Sequence, residues 1–158
     1  MTNGDIARPK RSSPQAGLPA GIASSKGGPL KLAAVRSVPT PRAEVAVQHA
    51  LQCARVAQDN KARDIVVLDM REITPLYDFF VLATGTSRRQ IHNLAEEIDA
   101  GMAAEGETRL GIEGYEPGRW VVQDYGDIVV HLFDQETRGY YALDDLWADA
   151  RRIDWEHE

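Results

Sequence analysis

The segment Asp78-Phe-Phe-Val-Leu-Ala-Thr-Gly-Thr-Ser-Arg-Arg-Gln90 decides the fold, because a strand passes directly into a helix within it. Residues 79–83 are a continuous apolar run with the length and composition of a buried strand. Residues 84–87 form a turn, and Ser87 to Gln90 fit the capping box S-x-x-Q that begins many helices. The segment therefore predicts a strand–turn–helix unit of an α/β domain.

The residues after this segment predict a helix and a β-hairpin. The helix ends at Gly106, and its apolar face consists of Ile91, Leu94, Ala95, Ile98 and Met102. Residues 109–112 have the composition of a short strand. Strands at residues 120–123 and 128–133 are joined by Asp124-Tyr-Gly-Asp127, which is typical of a hairpin. With Gly126 and Asp127 at the tip, one face of the hairpin carries Trp120, Val122, Asp124, Val129, His131 and Phe133. A shift of the strand register by one residue would change which residues share this face.

Towards the N-terminus the sequence predicts one more strand and one more helix. Residues 64–69 are a short run of branched apolar residues flanked by acids, typical of a buried strand. Thr40-Pro41 provides an N-cap followed by proline at the first helical position, and helical periodicity continues to Asn60. Short helical segments follow the hairpin between Tyr140 and Trp147. The predicted fold class is α/β, a mixed β-sheet flanked by helices, in one domain over residues 42–158.

Charge divides the chain into two regions of opposite sign. Residues 1–42 hold seven Lys or Arg and one acid, a net charge of +6. Residues 43–158 hold eleven basic and twenty-three acidic residues, a net charge of −12. A domain this acidic repels phosphate backbones, whereas complementary fields favour a basic protein as its partner.

Residues 1–41 predict a disordered basic tail, since they hold six of the eight prolines and no aromatic residue. Three interpretations of the tail stay open: an arm that makes weak contact with RNA, a solvated segment without a role, and an organellar transit peptide. The prolines argue against the amphipathic helix of a transit peptide. The sequence has no apolar run long enough to span a bilayer, and its single cysteine permits no internal disulfide. We expect a soluble, cytoplasmic protein without membrane contact.

Gly85-Thr86-Ser87 is the segment best suited to bind a phosphate, because a helix N-terminus presents free amides and two arginines follow. The structural alternative, in which Ser87 only caps its helix, is favoured because no P-loop lysine and no G-x-G-x-x-G motif is present. A nucleotidyltransferase also needs two metal-binding carboxylates one residue apart on a nearby strand. The predicted hairpin strands contain no such pair.

The remaining chemical groups do not form a recognisable catalytic set. No two of the four histidines have zinc-ligand spacing, and His131 in an apolar strand is more typical of a buried or contacting histidine than of a general base. Cys53, on a helix among small residues, is more typical of a core residue than of a nucleophile. The sequence therefore predicts no catalytic residue, no metal and no cofactor.

Several segments between Asp64 and Trp147, in unbroken order, resemble the ribosomal silencing factors of the Iojap family. They are Asp64-Ile-Val-Val-Leu-Asp69, Asp78 to Ser87, Glu113-Gly114, Arg119-Trp-Val-Val122, Asp124-Tyr-Gly-Asp127, Val130-His131, and Arg138, Tyr141, Leu143, Leu146 and Trp147. The chain departs from the family pattern at Gln123, where related chains tend to carry an apolar residue, and in its long basic tail.

The resemblance implies a fold related to nucleotidyltransferases but without their catalytic carboxylates, and no enzymatic activity. It implies binding to ribosomal protein fourteen of the large ribosomal subunit, blocked joining of the small subunit, and repressed translation when nutrients are scarce. By resemblance the contact surface consists of Glu113, Trp120, Asp124, Asp127 and His131, with Arg138 and Tyr141 as further members. Trp120 would be the apolar anchor, and the acids would pair with basic side chains of the partner.

Two other functions stay open at this point. Organellar relatives are associated with large-subunit assembly, and Gly85, Ser87 and His131 would suit a phosphate-handling transferase. A homodimer of the free protein is a further expectation, because an uncovered strand face that bears aromatic residues favours burial.

Overall fold

The computed structural model describes residues 41–157, and within this range six strands form one mixed sheet with helices on both faces. The strands are β1 (Arg63–Asp69), β2 (Phe79–Gly85), β3 (Gly111–Glu113), β4 (Trp120–Asp124), β5 (Ile128–Asp134) and β6 (Arg151–Ile153). The helices are α1 (Pro41–Asp59), α2 (Arg88–Ala104), α3 (Gln135–Tyr140) and α4 (Leu143–Leu146). The predicted α/β class with a flanked mixed sheet is confirmed. The predicted disordered tail and the Thr40 cap lie outside the described range.

The strand order in the sheet is β3-β4-β5-β2-β1-β6. The central strands β2 and β5 are parallel, and the other neighbours are antiparallel. Gly85 at the end of β2 lies opposite Asp134 at the end of β5. As a result α2 and α3, which follow these two strands, begin at the same edge of the sheet.

Alternating side chains of the sheet pack into two cores. The first lies against α1 and α2 and contains Val67, Val81, Ala83, Val130 and Leu132, with the predicted apolar face of α2 fully buried. The second lies on the opposite face, under the segment after β5, and contains Phe80, Leu82, Phe133, Leu143 and Trp147. Because both faces are covered, all seven residues of β2 are buried. This explains its continuous apolar sequence.

The hairpin has the predicted register. Trp120 lies opposite Phe133, and Asp124 lies opposite Val129. The amide of Tyr125 donates to the carbonyl of Ile128, which leaves Gly126 and Asp127 at the tip. Gly126 has a φ of +95°, the left-handed conformation that glycine adopts readily in two-residue hairpin turns.

The predicted cap of α2 is confirmed, although one of its hydrogen bonds differs from a capping box. Ser87 Oγ accepts from the amide of Gln90 at 3.0 Å. The Gln90 side-chain oxygen accepts from the amide of Thr86 rather than from that of Ser87, and its Nε2 donates to the carbonyls of Asn60 and Lys61. The cap therefore also attaches α2 to the connection between α1 and β1.

The short strand β6 was not predicted, because a three-residue segment with two arginines has no apolar alternation. It pairs with β1, so that the C-terminal segment completes one edge of the sheet. Arg151 is 2.9 Å from the buried carboxylate of Asp69, and the indole N–H of Trp155 donates to the carbonyl of Ile65.

We expect Gly114→Ala to lower the free energy of unfolding by about 3 kcal/mol. Gly114 has a φ of +76°, and a Cβ atom there would lie 2.1 Å from the carbonyl oxygen of Trp120. The matched control is Gly139→Ala in α3, where a Cβ atom would meet nothing within 4 Å. The control should raise stability by about 0.5 kcal/mol. Urea unfolding of both variants measures the difference, and equal effects would contradict the prediction.

Candidate partner-binding surface

The sheet face opposite α1 and α2 carries a cluster of aromatic rings, called here the aromatic cluster. Its members are Phe80, Trp120, His131 and Phe133 from the strands and Tyr141 and Trp147 from the segment after β5. Ring centroids are 5.7 Å apart for Trp120 and Tyr141 and 5.0 Å apart for His131 and Trp147. The segment that contains α3 and α4 therefore covers this face.

Three of the predicted contact residues are buried. Trp120 is 6% exposed, Arg138 is 7% exposed and His131 is fully buried. The expectation that Trp120 and His131 present their side chains to a partner is corrected accordingly, because these side chains pack inside the domain. The premise for a homodimer, an uncovered aromatic strand face, is also wrong, so dimerisation itself stays a prediction without that support.

The other four predicted residues reach solvent. Glu113 is exposed on β3, and it lies opposite Val122, which places it on the same face as the aromatic cluster. Tyr141 is half-buried over Trp120, and its neighbour Tyr140 is 73% exposed. Asp124 and Asp127 are half-buried at the hairpin turn, at the end of this face. Tyr140 is not among the contact residues predicted from the sequence, although two consecutive tyrosines after an amphipathic turn could have indicated that one of them is exposed.

His131 is held as a neutral imidazole. The indole N–H of Trp120 donates to His131 Nδ1 at 3.2 Å, so the ring proton is on Nε2. Burial lowers the pKa of His131 to about 3, because no solvent stabilises the charged form. Among residues 41–157, His131 Nε2 and Trp147 Nε1 have no hydrogen-bond partner. An imidazole enclosed by rings contributes to packing, and in this conformation it does not reach a substrate.

Arg138 attaches α3 to the sheet. Its Nη1 donates to the carbonyl of Asp64 at 2.7 Å and to the hydroxyl of Thr84 at 2.8 Å. Its other nitrogens bind the carboxylate of Asp144 at 2.8 and 3.0 Å, and this pairing lowers the pKa of Asp144. The guanidinium also lies over the ring of Phe133. Arg138 therefore acts indirectly, by holding the helix whose C-cap residue is Tyr141.

The two acids of the hairpin turn already have partners within the domain. Asp127 accepts two hydrogen bonds from Arg42, at 2.8 Å from Nε and 3.0 Å from Nη2. Asp124 accepts from the amide of Gly126 at 2.8 Å and thereby stabilises the turn. Arg42 is not among the residues predicted from the sequence, because no local pattern indicates that the start of α1 contacts a turn eighty-five residues later.

Gln123, the departure from the family pattern, lies on the opposite face and is fully buried. Its Nε2 donates to the carbonyl of Ala95 at 2.9 Å and to Asp99 at 3.1 Å. The hydroxyl of Tyr125 also donates to Asp99. The polar side chain therefore links β4 to α2, and it leaves the hairpin register unchanged.

The side chains at the other predicted sites make local contacts or are buried. Ser87, at the phosphate-like turn, caps its own helix, and Arg88 lies 3.6 Å from Glu116. Cys53 is buried as expected, and burial raises the pKa of its thiol to about 12. In the described range no group of three or more His, Cys, Asp or Glu side chains could hold a metal ion. No helix between residues 41 and 157 has the length and hydropathy needed to cross a membrane.

Comparison with known proteins gives a consistent result. The family described as "Ribosomal silencing factor during starvation" matches residues 43–158. A ribosomal silencing factor RsfS from Halalkalibacterium halodurans is 39% identical over 110 residues, which cover 69% of this chain and 94% of the relative. The chloroplastic protein Iojap of Arabidopsis thaliana is 35% identical over 122 residues, which cover 74% of this chain and 51% of the relative.

Solved structures also resemble the domain. A crystal structure of a Chromobacterium violaceum protein superimposes with a TM-score of 0.61 at 36% identity, and covers 64% of this chain and 85% of its own. A crystal structure from Bacillus halodurans gives a TM-score of 0.59 at 34% identity, with coverage of 70% and 98%.

We expect the stability of the domain to fall on acidification partly through His131. Because burial lowers its pKa from the usual 6.5 to about 3, only the unfolded state binds a proton between these pH values. The contribution of the neutral His131 to the free energy of unfolding is complete above pH 6.5 and is lost as the pH falls towards 3. Between pH 7 and pH 5 the resulting decrease in the free energy of unfolding amounts to about 2 kcal/mol.

The measurement is urea unfolding at pH 7 and pH 5 for the parent and for His131→Gln, with the exposed His157→Gln as the matched control. The decrease in the free energy of unfolding from pH 7 to pH 5 should be smaller in His131→Gln than in the parent, and it should be unchanged in His157→Gln. Equal losses in the parent and His131→Gln would show that the imidazole titrates normally.

Proposed function

This chain belongs to the ribosomal silencing factor family, and on that premise we propose that it binds the large ribosomal subunit and blocks joining of the small subunit. In this proposal its contact is ribosomal protein fourteen, its location is the cytoplasm, and its effect is repressed translation when nutrients are scarce. The family description and the names of the relatives support silencing. The observation that carries the proposal is the sheet face whose aromatic cluster is bordered by the exposed Glu113 and by the half-buried Asp124 and Asp127.

The chemistry of this face suits a basic protein partner. The exposed Tyr140 and the half-buried Tyr141 offer the aromatic surface that interface centres favour. Glu113 and Asp124 lie at its border, where charged residues remain partly solvated. Trp120 packs against Tyr141 inside the domain and does not contact the partner, so its contribution to binding is indirect.

Occupancy alone can block subunit joining. A folded domain of this length has a radius of gyration of about 13 Å. If it occupies a surface that the small subunit must contact, the two subunits cannot approach to contact distance. This mechanism needs one protein per large subunit and no chemical step. It agrees with a candidate surface that consists of aromatic and acidic side chains. We therefore prefer it to a phosphate-handling transferase, for which Ser87 would have to leave its cap.

We expect the full-length protein to reduce subunit joining. Isolated large subunits are incubated with saturating protein, small subunits are added, and joined particles are measured by sedimentation. The joined fraction should fall to about half or less when the protein exceeds its dissociation constant tenfold. Equal joined fractions with and without the protein would rule out the proposed function.

The double variant Asp124→Asn, Asp127→Asn should bind large subunits about tenfold more weakly at about 0.1 M salt. Asparagine retains a side-chain oxygen that can accept the hydrogen bond within the turn. The substitutions therefore remove the two charges and largely preserve the turn. The matched control, Glu97→Gln with Asp149→Asn, removes two charges from exposed positions elsewhere. The difference should shrink as salt is raised, because added ions screen exposed charges. Equal weakening in both double variants would indicate that only net charge matters.

A further inference from the structure

Residues 142–150, called here the α4 segment, pack on the aromatic cluster between two attached ends. Arg138 attaches α3 to the sheet before the segment, and β6 pairs with β1 after it. Inside the segment, Leu143 and Trp147 are 1% and 3% exposed, whereas Leu146 is 48% exposed. Two large buried side chains therefore provide most of the apolar contact between this segment and the sheet.

The α4 segment begins with a residue in an unfavourable backbone conformation. Ala142 has a φ of +49° and a ψ of +47°, which is the left-handed conformation. The Cβ atom makes this conformation less favourable for alanine than for glycine. Ala142 is also the N-cap residue of α4, and its side chain makes no capping hydrogen bond. The closed position of the segment therefore requires a conformation that Ala142 would leave if the segment moved.

The packing of Trp147 leaves two hydrogen-bond donors without acceptors. The ring centroids of Trp147 and His131 are 5.0 Å apart, and neither Trp147 Nε1 nor His131 Nε2 has a partner in the part of the chain that the structure describes. Both N–H groups would donate to water if the segment moved away from the sheet. The burial of these donors therefore opposes the hydrophobic contact of the same two rings.

The packing around Trp147 is also incomplete. A cavity of about 240 Å³ lies between the α4 segment and strands β1 and β2, and Val66, Leu68, Leu82 and Trp147 line it. Side chains that border a cavity make fewer dispersion contacts than side chains that are packed on all sides. The α4 segment therefore gains less from packing than the burial of Leu143 and Trp147 would indicate.

His131 lies against Trp147 and is enclosed by uncharged side chains. They are Phe80 and Leu82 of β2, Trp120 and Val122 of β4, and Trp147 of the α4 segment. Burial alone lowers the pKa of His131 to about 3, so no charged side chain of the described range acts on it. An imidazole that reached solvent would regain its usual pKa of 6.5.

We infer that the α4 segment opens locally about Ala142 while the rest of the domain stays folded, and that protonation of His131 favours the open state. Opening moves Trp147 away from the sheet, hydrates both unpaired donors and uncovers His131 beside the candidate partner-binding surface. Because the closed state keeps the imidazole neutral and the open state binds a proton below pH 6.5, the open fraction rises as the pH falls. From pH 7 to pH 5 the equilibrium constant for opening increases about twentyfold.

Native-state amide hydrogen exchange of the full-length protein, without ribosomes, measures this opening. The amides of Leu146 and Ala150 donate to carbonyls within the α4 segment. After correction for intrinsic exchange, they should give a larger opening constant than the amides of β5, which report global unfolding. The opening constant at Leu146 should increase about twentyfold from pH 7 to pH 5 in the parent, and it should not change with pH in His131→Gln.

Two glycine substitutions distinguish local opening from global unfolding. Ala142→Gly removes the unfavourable conformation, so the opening constant at Leu146 should fall about threefold, although glycine usually destabilises a protein. The matched control is Ala100→Gly, at an exposed position within α2. The control should raise the opening constant of the β5 amides about fivefold and leave that of Leu146 unchanged.

Three results would overturn the inference. Equal opening constants at Leu146 and in β5 would mean that the segment opens only when the whole domain unfolds. A larger opening constant in Ala142→Gly would show that Ala142 is not the hinge. The same pH response in the parent and in His131→Gln would show that His131 stays enclosed when the segment opens. If His131→Gln does not fold, the comparison of Leu146 with β5 in the parent and in Ala142→Gly still decides whether the segment opens locally.

Discussion

The parallel pairing of β2 with β5 is the constraint on which the rest of the structure depends. It brings the ends of two strands that are forty-nine residues apart to one edge of the sheet, with Gly85 opposite Asp134. The helix that follows β2 packs on one face, and the helices that follow β5 pack on the other. Arg138, in the helix after β5, then binds the end of β2 through Thr84 and the start of β1 through Asp64. Without this pairing the aromatic face would have no cover and Tyr141 no fixed position.

This cover changes how the aromatic residues can contribute to binding. Trp120 and His131 are enclosed, and they hydrogen-bond to each other in a region where the imidazole stays neutral. Trp120 packs against Tyr141 from inside the domain. In the proposed complex, the acids at the border of this face would favour a basic partner. The surface is therefore prearranged by a buried cluster, which lowers the conformational entropy that a partner would have to restrict.

The hairpin turn shows how local charge can differ from net charge. The domain is strongly acidic, yet Asp127 is paired with a cation from the start of the domain. In the proposed complex a basic partner would replace Arg42 on Asp127, so its affinity would depend on the difference in free energy between the two ion pairs. Exposed pairs are individually weak and exchange readily, which suits a surface that is occupied reversibly.

The sequence by itself determined the helices and strands other than β6, the hairpin register and the acidic character of the domain. These follow from local regularities: helical spacing from Ile91 to Met102, alternation in the strands, and Gly126 at a turn that requires a positive φ. The tertiary structure alone decided which of the predicted contact residues are exposed. The alternation of side chains places Trp120 and Glu113 on one face of the sheet, but it does not show that α3 and α4 cover only the part that contains Trp120. It also decided the strand β6, the bond between Arg42 and Asp127, and the role of Gln123, since each joins residues far apart in sequence that only the packed chain brings together.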